Sequence, residues 1–352
     1  MTNSKPQTYQ QIQLLPHEDL TGFCLPSYLP HLNPETVTRQ KADTHWLLVN
    51  ASGDVVARCS LWWSDTPPYP GHRVGLIGHY AARDAEAARQ LLQLACCQLA
   101  KHGCTLAVGP MDGNTWQSYR LVTGRGSEPP FFLEPDNPAE WPAHFTGNGF
   151  SVLAAYVSAL NADLAQSDTH LAKAAARAAT HGFTIRPFNA DEVERELAHL
   201  YQLALASFSR NFLYTPLQQA DFMAMYRPLL PHIQPELITI AEKEGRPVGF
   251  IFALPDLLQT KRGQVIDTVI IKTVAVHPDY QIYGLGSLLV HHCQEVASNL
   301  DYKRAIHALM HESNASHKIS RRYQTNIIRR YALFAKSLEC VSNESKLHRS
   351  DE

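Results

Sequence analysis

Residues Val274–Ser287 read VAVHPDYQIYGLGS. An apolar run ends in His-Pro. Six residues with two glycines follow, Gln281 to Gly286, and then an amphipathic segment opens. That order predicts a strand, a glycine-bearing turn and a helix start. The run Val265–Val276 is rich in β-branched residues, as a strand requires. Beyond the turn, Leu289, Cys293, Val296 and Leu300 recur at three-to-four spacing, so one helix face is apolar. Backbone N–H groups at a helix start have no intrahelical partner and stand at the positive end of the macrodipole. Such a start accepts a phosphate or pyrophosphate. Gly284 and Gly286 let an anion come close to the backbone. A plain strand-to-helix turn is the blander reading of the same residues.

Neither of the two common nucleotide loops is present. The chain has no G-x-x-x-x-G-K-[ST], and no G-x-G-x-x-G opens a helix in an N-terminal βαβ unit. The stretch resembles instead the Q/R-x-x-G-x-G/A pyrophosphate loop of the GNAT acyltransferase superfamily. Gln281, Gly284 and Gly286 stand at its three fixed positions, and Val274-Ala-Val-His-Pro278 is similar to that family's strand end. The resemblance covers about Phe183–Leu338.

Working outward, the second half reads as one α/β unit. Phe183–Pro187 is a short strand, and Asp191–Ser209 and Pro216–Leu230 are helical. Two strands, Leu237–Ala241 and Val248–Phe252, flank the turn Lys243–Arg246. After the glycine turn and its helix come a strand Arg304–Met310, a polar loop His311–His317, a basic helix Lys318–Ile328 and a last strand Tyr331–Leu338. This is the element order of the GNAT fold. The first half echoes it: strands at His45–Asn50, Val55–Trp63 and Val74–His79, a helix Ala85–Ala100, a strand Thr105–Val108, then a helix Trp141–Gly149 and a strand Phe150–Leu160. The expected fold class is therefore α/β, two tandem GNAT-like domains, each a mixed, mostly antiparallel sheet flanked by helices. The expected division is a degenerate GNAT-like domain over 1–160, a helical linker over 161–180 and a catalytic N-acyltransferase domain over 181–345.

The first half departs from the family at the loop. It reads Gly78-His-Tyr-Ala-Ala-Arg-Asp84, without the second glycine or its spacing, so poor coenzyme A binding is expected there. It also carries a long polar-aromatic insert, Gly109–Arg120 followed by Pro129–Pro135. Trp116, Phe131 and Phe132 are expected either to serve function or simply to cover the interface between the two domains.

Composition narrows the classes. At 352 residues the chain is long for one core. A net charge of −2 gives no reason to expect a nucleic-acid partner. No apolar stretch approaches ~18 residues, so no membrane span is expected. No signal peptide is visible in MTNSKPQTYQQ. Seven cysteines at irregular spacing read as reduced thiols of a cytoplasmic protein. The 18 histidines include His291-His292 and the pair His307/His311, but no ligand set at metal spacing, so no metal is expected.

The resemblance implies the chemistry. The cofactor is acetyl-CoA or another acyl-CoA, as co-substrate. Main-chain groups of Val274 and Val276 pair with its pantetheine arm, and Gln281, Gly284, Leu285, Gly286 and Ser287 hold its pyrophosphate. Asn314 matches the family's cofactor-contacting asparagine. Ser287 is equally readable as a helix N-cap. The acceptor is an amine of a small molecule or peptide. An alkyl amine of pKa ~10.4 is about one part in a thousand free base at neutral pH, so a base or water chain must assist. Many family members carry a Glu on the long strand for this; here the place is Ile270, and Asp267 lies three residues earlier. His311 and Glu312 are the candidates by location. Tyr323 is the candidate acid for the leaving thiolate, two residues later than the family's tyrosine, with Tyr331 as fallback. The cluster Lys318, Arg321, Arg322, Arg329 and Arg330 reads as a solvated face, a 3′-phosphate contact or a surface for an acidic partner. Two other functions compete: a non-catalytic coenzyme-A-binding or regulatory module, and an acyltransferase using a carrier-protein or tRNA-linked donor.

Overall fold

The structure is a computed structural model that describes residues 8–165 and 171–339. Part of the expected linker, 166–170, and the end of the expected second domain, 340–345, lie outside those residues. Two compact units form, and neither is one continuous stretch of chain. The first draws on residues up to Arg120, on Glu140–Leu153 and on the chain from Leu333; the second holds Leu121–Ala139 and Ala154–Ala332.

In chain order the elements are β1 (Gln10–Leu14), α1 (Thr21–Cys24), α2 (Pro34–Arg39), β2 (Thr44–Val49), β3 (Val55–Trp62), β4 (Val74–Ala82), α3 (Ala85–Lys101), β5 (Leu106–Gly109), β6 (Leu121–Arg125), α4 (Trp141–Gly147) and β7 (Ser151–Asn161). There follow α5 (Leu171–Thr180), β8 (Phe183–Pro187), α6 (Val193–Phe208), α7 (Gln219–Tyr226), β9 (Ile238–Lys243), β10 (Arg246–Pro255), α8 (Leu257–Lys261), β11 (Thr268–Val276), α9 (Leu285–Asn299), β12 (Arg304–His311), α10 (Ala315–Arg321) and β13 (Asn326–Ser337).

In the first unit β1 to β4 form an antiparallel meander, β4 pairs β5 in parallel, and the end of β13 pairs β5 antiparallel. In the second, β8 to β11 form the meander, β11 pairs β12 in parallel, and Tyr156–Asn161 of β7 pair β12 antiparallel. Both units therefore follow the plan read from the sequence, a mixed and largely antiparallel sheet with helices on its faces. The closing strands correct that reading. Phe150–Leu160 does not close the first half, nor Tyr331–Leu338 the second; each unit takes the other's expected strand. Strand pattern announces a strand but not its partner, because backbone donors and acceptors are alike on all strands. The stretch 121–139, expected in the first domain, likewise folds into the second unit.

Local chemistry explains the elements that carry the site. Glu244 and Gly245 at φ 52° and 72° make the tight β9–β10 turn, where two left-handed residues match the twist of the strands. Gly284, also left-handed at φ 78°, ends a 3-10 turn over Pro278–Tyr283 and starts α9. The buried face of α9 is Leu285, Leu288, Leu289, Cys293 and Ala297, which pack on Val269, Ile271 and Ile251 of the sheet. Leu300, expected on that face, caps the helix and is exposed. Two helices are shorter than expected. The segment Pro216–Leu230 is helical only from Gln219, turning 3-10 at Arg227. The basic helix stops at Arg321, and Gln324 at φ 53° turns the chain out of it.

Candidate active site

The second unit contains two parallel strands that part. β11 and β12 pair from Thr268–Arg304 to Ile271–His307, and both continue beyond that rung. A bulge marks the parting point on each. On β11 the register against β10 shifts between Thr273 and Ile271, making Lys272 the extra residue. On β12 the register against β7 shifts between His307 and Met310, and Leu309 lies at φ 57°. Bulges bend a strand and change its twist, which is how neighbouring strands come to diverge.

The glycine turn lies at the end of the diverging β11. Gly286 sits so close to α10 that an added Cβ would meet Ile319 at 3.3 Å. Leu285 is fully buried and Gln281 exposed, so only the main chain of Leu285 can serve a ligand. Ser287 is not the N-cap, which is Gly284. Its hydroxyl is buried in the first turn and accepts a 3.0 Å hydrogen bond from Arg322 Nη1. A guanidinium therefore stands beside the positive end of α9. On the other side, Arg177 of α5 donates to the Ile282 carbonyl at 2.6 Å, and Ala174 lies 3.1 Å from where a Gly284 Cβ would be. The expected linker helix thus braces the turn. Val274 and Val276 are half-buried on the diverging part of β11.

Tyr323 follows α10 instead of lying on it. Its ring is buried, packs in the core with Leu285 and Ile271, and meets His307 edge-on at 6.0 Å. His307 is on the last paired rung, so Tyr323 is next to the parting point. Burial pushes the His307 pKa down to about 4, so the imidazole is neutral. His311 lies further along β12, its ring 4.9 Å edge-on to Tyr156 and 5.9 Å from Phe212. The Ser313 N–H donates to His311 Nδ1 at 3.2 Å. A backbone N–H can only donate, so Nδ1 accepts and the neutral ring presents Nε2–H. Glu312 points elsewhere, to a surface pair with Arg330 at 3.6 Å. Asn314 is the exposed N-cap of α10 with no capping bond from its side chain. The geometry thus gathers Tyr323, Val274, Val276 and the glycine turn, and sets Glu312 apart. Ile270 is fully buried, and Asp267 pairs with Arg304 at 3.2 Å.

Three features escaped the sequence reading. Lys272 is a lone charge inside an apolar strand, a visible signal; its ammonium donates to the Leu133 carbonyl at 3.3 Å. The Tyr226 hydroxyl bonds Thr273 of β11, and burial pushes its pKa up to about 12. Arg329, grouped with a basic face, is buried and paired with Glu134. The burial of Arg329 reflects contacts distant in sequence and had no local sign.

The equivalent place in the first unit is filled. β4 and β5 pair as far as Leu76–Val108; then Met111 N–H donates to the Ile77 carbonyl at 2.9 Å and Asp112 takes the His79 N–H at 2.6 Å. A Cβ on Gly78 would lie 2.3 Å from the Met111 oxygen. The start of α3 already holds an anion, since the Asp84 carboxylate caps Ala87 N–H at 2.9 Å. Among the described residues no group of three metal-ligating side chains occurs, and no helix is long and apolar enough to cross a membrane.

Residues 197–322 match the model of the acetyltransferase (GNAT) family. The matched segment carries the parted strands and the glycine turn, and it is this domain that the GNAT family model describes. Among curated relatives it is 24% identical over 222 residues to a protein named bacterial ceramide synthase from Caulobacter vibrioides, covering 61% of this chain and 57% of that one. Among solved structures, a GCN5-related glucosamine N-acetyltransferase region of a fungal multi-domain GH3 β-N-acetylglucosaminidase matches at TM-score 0.52 and 13% identity, over 94% of this chain and 38% of that one. A tandem GNAT protein from the clavulanic acid biosynthesis pathway matches at TM-score 0.48 and 13% identity, over 94% and 99% of the two chains. The chain spans little more than half the length of the curated relative it matches.

Proposed function

We propose that the second unit transfers an acyl group from acetyl-CoA or another acyl-CoA directly to an amine. The observation that carries this reading is the combination at one place of parted parallel strands, a glycine turn at a helix start and Arg322 on Ser287. The residues fit the group. First-turn amides of α9 and the Arg322 guanidinium suit a pyrophosphate, each charge-assisted bond being worth about 1.5–3 kcal/mol. The diverging edge of β11 at Val274 and Val276 suits an amide-bearing arm, and leads it to the bulges. There the amine nitrogen would attack the thioester carbon, the C–S bond would break, and Tyr323 would give its proton to the departing sulfur. With Ile270 at the usual carboxylate position, Nδ1 of His311 engaged and Glu312 drawn to Arg330, one ammonium proton would leave to solvent through water, and the proton lost as the amide forms would return to Tyr323 through water.

The acceptor is read as the amine of a small molecule or peptide. A long-chain amine or acyl group is the second reading, and one observation favours it. Phe188, Leu200, Phe222, Leu230, Phe250 and Phe252 line an apolar seam under α6 and α7, next to Tyr226 and its bond to Thr273. The name of the Caulobacter relative points the same way.

Calorimetry with coenzyme A on the wild type, Gln281→Ala and Gly286→Glu tests the loop. Both variants should lose affinity while staying folded; unchanged affinity in both would sink the reading. Thiol release from acyl-CoAs of two to sixteen carbons, with short, peptide and long-chain amines, separates the acceptors. Tight binding with no turnover on any amine would favour a non-catalytic coenzyme-A-binding module.

A further inference from the structure

The insert Pro129–Pro135 touches both bulges of the parted strands. On one side the Leu133 carbonyl takes the Lys272 ammonium at the β11 bulge. On the other, a buried chain of hydrogen bonds runs from the β12 bulge to Glu134, the next residue. The Leu309 N–H donates to Ser158 Oγ at 2.9 Å, Ser158 Oγ lies 3.0 Å from Tyr331 Oη, and Tyr331 Oη donates to Glu134 Oε1 at 2.7 Å. Arg329 Nε stands 2.9 Å from the same carboxylate oxygen. The chain has one polarity. An amide can only donate, so Ser158 accepts at its start. The carboxylate beside Arg329 can only accept, so Tyr331 donates at its end, and the Ser158 proton must point to Tyr331. Ser158, Tyr331 and Arg329 are all at most 2% exposed. The Glu134 carboxylate is tied further by the Phe131 N–H at 3.2 Å. Phe132 N–H holds Asp256 at 2.8 Å, and Arg262 bridges Asp256 and the Pro130 carbonyl. The segment thus has many fixed points and little slack.

A buried chain with every member bonded has a unique geometry, and a gap in it strands a polar group. Two adjacent residues of one segment therefore fix the two strands where they separate. We propose that Phe131–Glu134 sets the opening between β11 and β12, so that Glu134, Tyr331 and Ser158 are positioning residues for the thioester end of the acyl donor. The proposal rests on the coenzyme A reading of the parted strands. It assigns the insert a role in donor placement and leaves the phosphate contacts to the glycine turn.

The test uses two probes on the full chain, coenzyme A and adenosine 3′-phosphate 5′-diphosphate. The fragment reaches only the turn; coenzyme A also enters the parted strands. Calorimetry on Tyr331→Phe, Ser158→Ala and Glu134→Gln should show coenzyme A affinity falling by about tenfold, as the loss of roughly one net hydrogen bond's worth of alignment predicts, with fragment affinity unchanged. Ser158→Thr, which keeps the hydroxyl, should restore it. If Glu134→Gln does not fold, Tyr331→Phe and Ser158→Ala decide, since each removes one hydroxyl. A wild type that binds both probes, with the ratio of affinities unmoved in these variants, overturns the positioning role alone. A wild type that binds neither overturns the coenzyme reading and this inference with it.

Discussion

Arg322 donates a hydrogen bond of 3.0 Å to the hydroxyl of Ser287, one turn into α9. The pair joins the chain after α10 to the start of α9 and sets a permanent cation beside the positive end of a helix. Arg322→Ala should weaken coenzyme A binding by about 1.5 kcal/mol, roughly tenfold, and lessen its salt dependence. Ser287→Ala should cost less, since it removes the anchor and leaves the charge. Calorimetry at two ionic strengths reads both.

The two glycines of the turn should respond differently to alanine. Gly284 has φ 78°, where a side chain costs about 1–2 kcal/mol, and its Cβ would crowd Ala174 at 3.1 Å. Gly286 has ordinary helical backbone, and its Cβ would meet only the mobile tip of Ile319 at 3.3 Å. Thermal melts should therefore show Gly284→Ala destabilised and Gly286→Ala close to wild type. Equal melting temperatures would contradict the left-handed turn.

Tyr323→Phe keeps the buried ring and removes its proton. If Tyr323 is the acid for the leaving thiolate, kcat should fall by about 10²-fold with coenzyme A affinity unchanged, the usual size of a lost general acid. A variant that loses affinity and kcat together would make Tyr323 a packing residue.

Arg329 and Glu134 form a buried ion pair, each side chain 2% exposed. Arg329→Met leaves the buried carboxylate without its cation and should cost about 3–5 kcal/mol of stability. Burial, the dominant influence, already raises the Glu134 pKa against its partners' pull. Changing Arg329 to Met and Glu134 to Gln together should recover part of the loss, which urea titration can measure.

Acid should destabilise the fold by way of buried histidines. Burial pushes His45 and His307 down to about 4, and His79 to about 3. A depressed pKa means the unfolded chain takes the proton first. The stability these groups contribute is complete above pH 6.5 and is lost as pH falls through about 4. Asp112 acts in the opposite sense. Burial raises it to about 7, so its contribution is present below its ordinary value of 3.8 and is lost as pH rises through 7. Three groups against one give a net loss of at most about 3 kcal/mol per pH unit between 6.5 and 4. Urea midpoints at pH 7.5 and 5.5 should differ accordingly, and His307→Asn should reduce the difference. Equal midpoints would show that these histidines are not held neutral.

Much of the fold and part of the site were legible in the residues. The turn at Lys243–Arg246, the strand-turn-helix at Val274–Ser287 and the repeated element order follow from local rules. Periodicity places an apolar face, and a residue pair such as Glu244-Gly245 selects its own dihedral angles. Where local rules compete, the reading slipped. Lys318–Ile328 has helical character in its first half only, and the left-handed Gln324 has no side-chain signature strong enough to announce a break. Glu312 was a candidate base by location and Arg330 part of a basic cluster, and only the tertiary structure shows the two meeting at the surface at 3.6 Å.

The sequence by itself determined the glycine turn, its strand and helix, and the absence of an equivalent at Gly78–Asp84. Those features depend on backbone angles and on patterns a few residues long. Only the tertiary structure decided which strand closes which sheet, that Leu121–Ala139 belongs to the second unit, and that Arg322 reaches Ser287 while Arg329 is sealed beside Glu134. The reason is physical. Backbone hydrogen-bonding groups are the same in every strand, and an arginine's local sequence says nothing about which carboxylate or hydroxyl it meets. Those choices are made by packing between segments more than two hundred residues apart in sequence, as with Phe334 paired to Gly109 and Arg329 bonded to the Glu128 carbonyl at 2.6 Å.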